Sequence, residues 1–277
     1  MKPLALRAAF IAVVVALVAP DAWAQFDLSR LKQGLDKVKS KAEELGGKAQ
    51  KVGQVAKGVA GIGPEEERVI GGSVALEIVG TYGGLVRDEA AMQRVNLVGK
   101  ALARYSSRPE LDWRFGILAS DTVNGFSAPA GYVFITRGLY ERLTSDDALA
   151  GVLAHEIAHV TQRHALKIVA RGEFVAGASA LVSEHSSDVR AADAQLKQFD
   201  LGVEQIVKTL LEQGFDPPTE YEADKLGREL AVVTGYAPGG LRGVLTQLQA
   251  RPAGPDSQKI FATHPPLDER LKRLPKP

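Results

Sequence analysis

The stretch His155-Glu156-Ile157-Ala158-His159 places two imidazoles four residues apart, with a carboxylate beside the first. On an α-helix, residues i and i+4 lie about 40° apart around the axis, so both rings can reach one metal ion. Glu156 projects roughly 100° away from His155, which makes it a poor ligand but leaves it within reach of a metal-bound water. This is the geometry that a zinc hydrolase needs.

The flanking sequence predicts the helix that this pattern requires. Thr144 or Ser145 can cap its N-terminus, and two aspartates follow where the helix dipole favours negative charge. Lys167 and Arg171 suit the other end, and Gly172 is the expected stop. Apolar residues recur at helical spacing, so we expect a buried helix: Leu149, Val152, Leu153, Ile157, Val160 and Leu166.

A third ligand must come from elsewhere, because a catalytic zinc usually has three protein ligands and one open position. The metzincin class would place a histidine six residues after His159, where this chain has Ala165, so that class is excluded. His164 is nine residues after His155, roughly 180° around the same helix, and we expect it at the surface.

The better candidate is the acidic segment Glu220-Tyr221-Glu222-Ala223-Asp224. Thr219 can cap a helix there, with Glu222 at the capping-box position and no other role. Glu220 and Asp224 share one helix face, as a ligand and as the acceptor for the other N–H of a ligating histidine. The alternative is that these acids only favour the start of the helix.

Together these motifs resemble the zinc metallopeptidase family of the CAAX prenyl protease and the HtpX heat-shock protease, a gluzincin family with the pattern HExxH…ExxxD. The chain is most similar to the periplasmic bacterial type. The segment from Asn124 to Leu139 resembles the family's hairpin before the zinc helix, and Thr263-His264-Pro265-Pro266 resembles its closing segment. The similarity covers about residues 65 to 275.

The resemblance implies an α+β fold, in which a mainly helical zincin-like domain has a small β-sheet or hairpin before the zinc helix. It implies one Zn²⁺ per chain, held by His155, His159 and Glu220, with Asp224 behind them. In this mechanism, Glu156 is the general base that takes a proton from the attacking water.

The resemblance also concerns the substrate. By this resemblance, His264 either donates a hydrogen bond to the oxyanion or acts as a reversible fourth ligand, a latch that occupies the open position. The alternative is that His264 caps a last helix over residues 265–274. The segments 113–118 and 132–136 predict strands. A strand edge beside the zinc helix could pair with an extended peptide, with Asn124 and Phe126 as substrate-binding residues. Alternatively, Asn124 and Gly125 simply make a turn.

The N-terminus predicts export. Lys2 and Arg7 precede a short apolar run, and Ala22-Trp23-Ala24 is a small-x-small cleavage site, so residues 1–24 read as a signal peptide that directs the chain to the periplasm. The chain has no cysteine, which excludes a lipid anchor, and no later apolar run is long enough to span a bilayer. We therefore expect a soluble mature protein.

Residues 25–63 form a basic, amphipathic extension before a peptidase domain over residues 64–277. Apolar residues follow a heptad-like spacing, and lysines flank them. This pattern predicts contact with a membrane surface, a partner or another copy of the chain. Because alanine and glycine are frequent, the alternative is a loosely ordered leader.

These observations predict a zinc endopeptidase that cleaves unfolded or misassembled envelope proteins. The alternative is a zinc-containing, chaperone-like or assembly factor with latent or no proteolytic activity. The formal net charge of +1 gives no support for a nucleic-acid partner.

Overall fold

The computed structural model describes residues 62–169, 203–250 and 264–276, with side chains omitted for residues 168 and 169. The expected signal peptide and residues 25–61 of the extension lie outside these ranges. The elements are α1 (Pro64–Thr81), α2 (Glu89–Arg104), β1 (Arg114–Leu118), β2 (Gly125–Ala128), β3 (Tyr132–Thr136), α3 (Arg137–Tyr140), α4 (Asp146–Thr161), α5 (His164–Val169), α6 (Pro217–Thr234), α7 (Gly240–Gln249) and α8 (Leu267–Arg273). Residues 203–208 are also helical and continue into a π-helical turn, Thr209–Gln213.

The central helix α4 carries the paired histidines. Ser145 caps it by accepting a hydrogen bond from the Ala148 amide, as the sequence predicted. The prediction that this helix continues to Gly172 is wrong, because α4 ends at Thr161 and Arg163 adopts a left-handed φ of 56°. The apolar spacing continues into α5, where Ala165 and Leu166 are buried, so it did not show the break.

The sheet confirms both predicted strands and adds a third. Its order is β1-β3-β2, with β1 parallel to β3 and β2 antiparallel to β3. Asn124 and Gly125 do not form the hairpin turn, because β2 begins at Gly125. The turn lies at Pro129–Gly131, where Ala130 has a φ of 63°. β2 is consequently an edge strand of this sheet.

Close backbone approaches fix the helices that surround α4. A Cβ added to Gly227 of α6 would lie 2.7 Å from the His155 backbone nitrogen. Gly151 of α4 lies equally tightly against the backbone of α7 at Leu241. Only glycine leaves room for such contacts, so these two positions set α6 and α7 directly on α4.

Helix α6 begins earlier than the capping-box pattern indicated. Its cap is Asp216, whose carboxylate accepts a hydrogen bond from the Thr219 amide, so the prediction of Thr219 as the cap is wrong. Proline suits the first turn of a helix because the amides there have no intrahelical partner, which explains why Pro217 and Pro218 fall inside it. The helix ends at Gly235, with a φ of 99°.

A buried carboxylate on α1 joins three parts of the domain. Glu67, 2% exposed, makes two hydrogen bonds with Arg108. The Arg163 guanidinium lies 3.0 Å from its Oε2 and also donates to the Ile62 carbonyl. The amide of Ala130 donates to Glu67 Oε1. Ala130 and Arg163, the two non-glycine residues with positive φ among the described residues, are therefore both held by one side chain.

The predicted α+β class is confirmed: helices dominate, and the small sheet precedes α4, the helix with the paired histidines. Within the described ranges, no helix combines the length and the hydropathy that crossing a bilayer requires.

Candidate metal centre

Helices α4 and α6 bring two imidazoles and a carboxylate together in the interior. His155 Nε2 and His159 Nε2 are 3.1 Å apart. Glu220 Oε2 lies 3.6 Å from His155 Nε2, and Glu220 Oε1 lies 3.5 Å from His159 Nε2. The two histidines are each 3% exposed and Glu220 is fully buried. The sequence predicted these three side chains as a set, and the structure places them together.

The geometry of this cluster fits a metal. Two ligands placed roughly 2.0–2.2 Å from a tetrahedral zinc ion stand about 3.3–3.6 Å apart, close to the separations found here. Glu220 Oε1 is buried without a hydrogen-bond partner among the described atoms, which costs free energy unless a cation is present. Two imidazoles and one carboxylate are also a common donor set for zinc.

The pKa values of the cluster follow from its burial. Burial lowers the pKa of His159 well below its usual value, so this ring is neutral, the form that binds a metal. Burial alone would raise the pKa of Glu220, but the nearby histidines, His264 foremost, hold it far below the usual range. Glu220 is therefore an anion at neutral pH.

The far side of His155 is held by a buried ion pair. His155 Nδ1 lies 3.0 Å from Asp224 Oδ1, the position that the sequence assigned to Asp224. Arg270 of α8 donates two hydrogen bonds to the same carboxylate, from Nε to Oδ2 at 2.9 Å and from Nη2 to Oδ1 at 2.6 Å. Burial opposes ionisation of Asp224, but the bonds from Arg270 and His155 outweigh it and lower its pKa.

Arg270 is a site residue that sequence reasoning missed. It is 3% exposed, and its Nη1 lies 3.8 Å from Glu220 Oε2. A buried guanidinium needs an anionic partner. Arg270 pairs with Asp224 behind His155 and lies near Glu220 beside it. The available signal was its position six residues after His264, inside the closing segment, but no spacing rule connects an arginine there to α6.

Glu156 lies apart from the ligand cluster, facing β2. A Cβ on Gly125 would be 2.7 Å from its Oε1, so the edge strand passes directly over this carboxylate. Burial raises its pKa, while nearby positive charge and a hydrogen bond from Ser127 oppose the rise. A buried carboxylate with a raised pKa suits a group that must accept and return a proton.

His264 reaches the same centre from the segment before α8. Its Nδ1 lies 2.8 Å from Glu220 Oε2, and its Nε2 lies 3.3 Å from Asn124 Oδ1. The helix-cap alternative is wrong, because Pro266 occupies the N-cap of α8. His155, Glu220 and His264 also make a possible ligand set, with atoms within 4.8 Å of one another. The set that includes His159 is tighter, with separations of 3.1 to 3.6 Å.

The two residues proposed to bind substrate differ in position. The Asn124 side chain accepts a hydrogen bond from the Gly125 amide and lies beside His264, at the site. Phe126 is 2% exposed and packs against Tyr82, with ring centroids 4.8 Å apart. The substrate-binding role of Phe126 stays a prediction.

His164 is not at the surface. It is 1% exposed, its Nδ1 is 2.9 Å from His159 Nδ1, and its Nε2 is 3.3 Å from Glu222 Oε2. The prediction failed because it continued the helical angle of α4 through the break at Arg163. The prediction that Glu222 serves only the helix start is also wrong, since its carboxylate reaches His164.

Comparison with protein-family models matches residues 89–277 to Peptidase family M48. The chain belongs to this family. The membership predicted from the motifs is thereby confirmed, and the chain is a metallopeptidase by family.

Several curated proteins are similar in sequence. The beta-barrel assembly-enhancing protease of Escherichia coli (strain K12) is 27% identical over 194 residues, 68% of this chain and 39% of that protein. The mitochondrial metalloendopeptidase OMA1 of Schizosaccharomyces pombe is 27% identical over 65% of this chain and 51% of its own. A protease HtpX homolog of Thermodesulfovibrio yellowstonii is 25% identical over 71% of this chain and 79% of its own. This chain thus spans about two fifths of the β-barrel assembly-enhancing proteases that it matches.

Proposed function

We propose that this chain is a zinc-dependent endopeptidase that hydrolyses peptide bonds of unfolded or misassembled envelope proteins. The observation that carries the proposal is the buried Glu220 carboxylate. Its Oε1 has no hydrogen-bond partner among the described atoms and lies 3.5 Å from His159 Nε2, and its Oε2 lies 3.6 Å from His155 Nε2. His155, His159 and Glu220 would hold the zinc ion. When bound there, zinc would lower the pKa of a coordinated water and polarise the scissile carbonyl.

Glu156 supplies the proton transfers. It is adjacent to a ligand in sequence but points to the edge strand, so it can accept the proton of the attacking water and return it to the leaving amine. Burial raises the pKa of Glu156 and so favours its protonated form, which eases acceptance of the proton from water. Glu156 is therefore the general base in this proposal.

The residues behind the ligands keep them oriented. Asp224 accepts from the Nδ1 side of His155, which leaves Nε2 free to face the metal, and Arg270 fixes Asp224 in turn. This support is rigid because the Asp224–Arg270 pair is buried and bidentate. Asp224 acts through His155, and Arg270 acts through Asp224, so both are positioning residues.

The position of β2 at one end of the strand order supports binding of an extended peptide at its partly exposed first residue, Gly125. An edge strand offers unpaired main-chain groups to a substrate, and such pairing is indifferent to most side chains. Beside it, an apolar pocket lined by Val123, Val152, Leu241 and Leu245 opens next to Glu156. A strand-like substrate with a large apolar side chain near the scissile bond fits both features, and unfolded proteins expose such segments.

One observation favours latent activity as a second possibility. His264 bonds to the proposed ligand Glu220 and stands among the metal-binding atoms, where it could occupy the open coordination position. Alternatively, it donates a hydrogen bond to the developing oxyanion. Replacing His264 with alanine separates the roles: cleavage rises if the side chain blocks the site and falls if it stabilises the transition state.

The periplasm is the proposed compartment. The basic n-region, the apolar run and Ala22-Trp23-Ala24 support export and cleavage after Ala24. The names of several relatives refer to β-barrel assembly, which supports envelope proteins as substrates. Contact of residues 25–63 with a membrane surface or partner belongs to the same proposal. Fractionation of cells and sequencing of the mature N-terminus test the compartment.

The activity is tested with purified protein whose zinc content has been measured. We expect wild type to cleave casein and Glu156→Gln to retain one equivalent of zinc with a rate about 10²–10⁴-fold lower. Glu229→Gln, at an exposed position of α6, is the matched control and should keep full activity. If wild type binds one zinc yet no variant, including His264→Ala, cleaves unfolded substrates, the chaperone-like or assembly role replaces the enzyme.

A further inference from the structure

The outward face of His159 meets a second histidine. His159 Nε2 points to the proposed metal position, and its Nδ1 lies 2.9 Å from His164 Nδ1. The other nitrogen of His164, Nε2, lies 3.3 Å from Glu222 Oε2. The rings of His159 and Phe215 stack with centroids 4.5 Å apart and an interplanar angle of 16°. His164 and Phe215 therefore contact His159 on sides that do not face the proposed metal position.

The protons along the series of contacts from His159 through His164 to Glu222 have one consistent arrangement when a metal is bound. A histidine that ligates through Nε2 is neutral and carries its proton on Nδ1, so His159 donates to His164 Nδ1. His164 must then accept at Nδ1 and carry its own proton on Nε2. That proton points to the Glu222 carboxylate, which accepts it. Each contact therefore has one donor and one acceptor.

The break in the chain at Arg163 brings His164 close to α4. Without the break after α4, residue 164 would lie five positions beyond His159, about 140° around the helix from it. Arg163 in its left-handed conformation redirects the chain, and its guanidinium is held 3.0 Å from the buried Glu67. A left-handed conformation is unfavourable for arginine, and this pairing with Glu67 compensates for it.

We propose that His164 is a positioning residue for the metal centre, which accepts the Nδ1–H of His159 and donates its own Nε2–H to Glu222. The inference rests on the proposed role of His159 as a ligand. In this arrangement both histidine ligands are supported from behind: His155 by the Asp224–Arg270 pair and His159 by His164 and Glu222. The Glu222 side chain is 48% exposed, so its share is weaker than that of buried His164.

Zinc affinity of the whole protein tests this arrangement, measured by competition with a fluorescent chelator. Loss of a partner that orients a histidine ligand typically weakens metal binding about 10–100-fold. We expect that loss for His164→Phe, which keeps a ring but has no acceptor. His164→Asn, whose side-chain oxygen can take the place of Nδ1, should recover most of the affinity, and Glu222→Gln should lose less than His164→Phe.

Two measurements separate positioning from general stability. Thermal unfolding of each variant in EDTA shows whether the metal-free protein still folds. Nitrogen-15 NMR of the zinc-loaded wild type reports the tautomers, with His159 protonated at Nδ1 and His164 at Nε2. His164 protonated at Nδ1 would overturn the proposal even if the phenylalanine variant fails to fold.

The outcomes distinguish this proposal from the proposed function. If His159→Ala abolishes zinc binding while His164→Phe and His164→Asn both bind zinc as tightly as wild type, the positioning role is refuted and the metal site stands. If His159→Ala leaves zinc binding unchanged, the ligand assignment fails and the positioning role fails with it. Weak binding by the phenylalanine variant with recovery by the asparagine variant supports both.

Discussion

Replacing Arg270 with methionine removes a buried charge while keeping an unbranched side chain of similar length. Asp224 would lose two hydrogen bonds of 2.6 and 2.9 Å and, among the described residues, keep His155 as its partner. Removal of one member of a buried ion pair costs about 3–5 kcal/mol, because the other charge remains desolvated. We therefore expect the free energy of unfolding of the zinc-free protein to fall by about that amount.

Urea unfolding in EDTA, followed by far-ultraviolet circular dichroism, measures this loss. With a urea dependence of about 3 kcal/mol per molar, the midpoint should fall by about 1–1.7 M. Arg270→Lys keeps the charge but not the bidentate geometry, so its urea midpoint should lie between those of Arg270→Met and the wild type. Arg104→Met, at an exposed position, is the control and should cost under about 1 kcal/mol.

A double variant tests the reasoning itself. Asp224→Asn removes the charge that Arg270→Met leaves unpaired, so the double variant should be less destabilised than the sum of the two single variants. A loss below about 1 kcal/mol in Arg270→Met, or strict additivity in the double variant, would refute the argument that this ion pair braces the site.

Three further outcomes follow from the same geometry. Gly125→Ala would press a methyl group against Glu156 Oε1, 2.7 Å away, so we expect casein cleavage to fall while zinc content stays at the wild-type level, and unchanged cleavage would contradict the contact. Gly227→Ala would force α6 away from the zinc helix, so chemical unfolding should show a loss of about 1–3 kcal/mol, with weaker zinc binding; a neutral effect would argue against this close approach. The pKa values of Glu220 and Asp224 are depressed in the folded state. In EDTA, their contribution to the free energy of unfolding is therefore present above pH ~4 and is lost as the pH falls below that value. Unfolding free energies that stay flat between pH 5 and 2 would exclude this linkage.

The sequence predicted the parts of the site that depend on local spacing. The i, i+4 histidines and the Glu220–Asp224 pair each lie on one helix face, so helical geometry alone places their side chains. The strands at 113–118 and 132–136 were also predictable, because buried strands are rich in aromatic and β-branched residues. These features require no knowledge of how distant segments meet.

The features that the sequence did not reveal depend on tertiary contacts. The break at Arg163 is fixed by Glu67, almost a hundred residues earlier in the chain. Apolar spacing continues through that break, so it predicted one long helix and put His164 on the wrong face. Arg270 was missed for a similar reason, since its partner Asp224 lies 46 residues away on another helix. The capping pattern at Thr219 was overridden by Asp216, one turn earlier.

The long separation between His155 and Arg270 has a consequence for the order in which the chain is made. The two residues are 115 positions apart, and Arg270 contacts the His155 ring only after α8 has formed. At about 5–20 residues per second, a ribosome needs roughly 6–23 s to cover that distance. During this interval α4 exists without the carboxylate–guanidinium support behind His155. A nascent chain therefore gains the support behind His155 only when its last described helix has been synthesised.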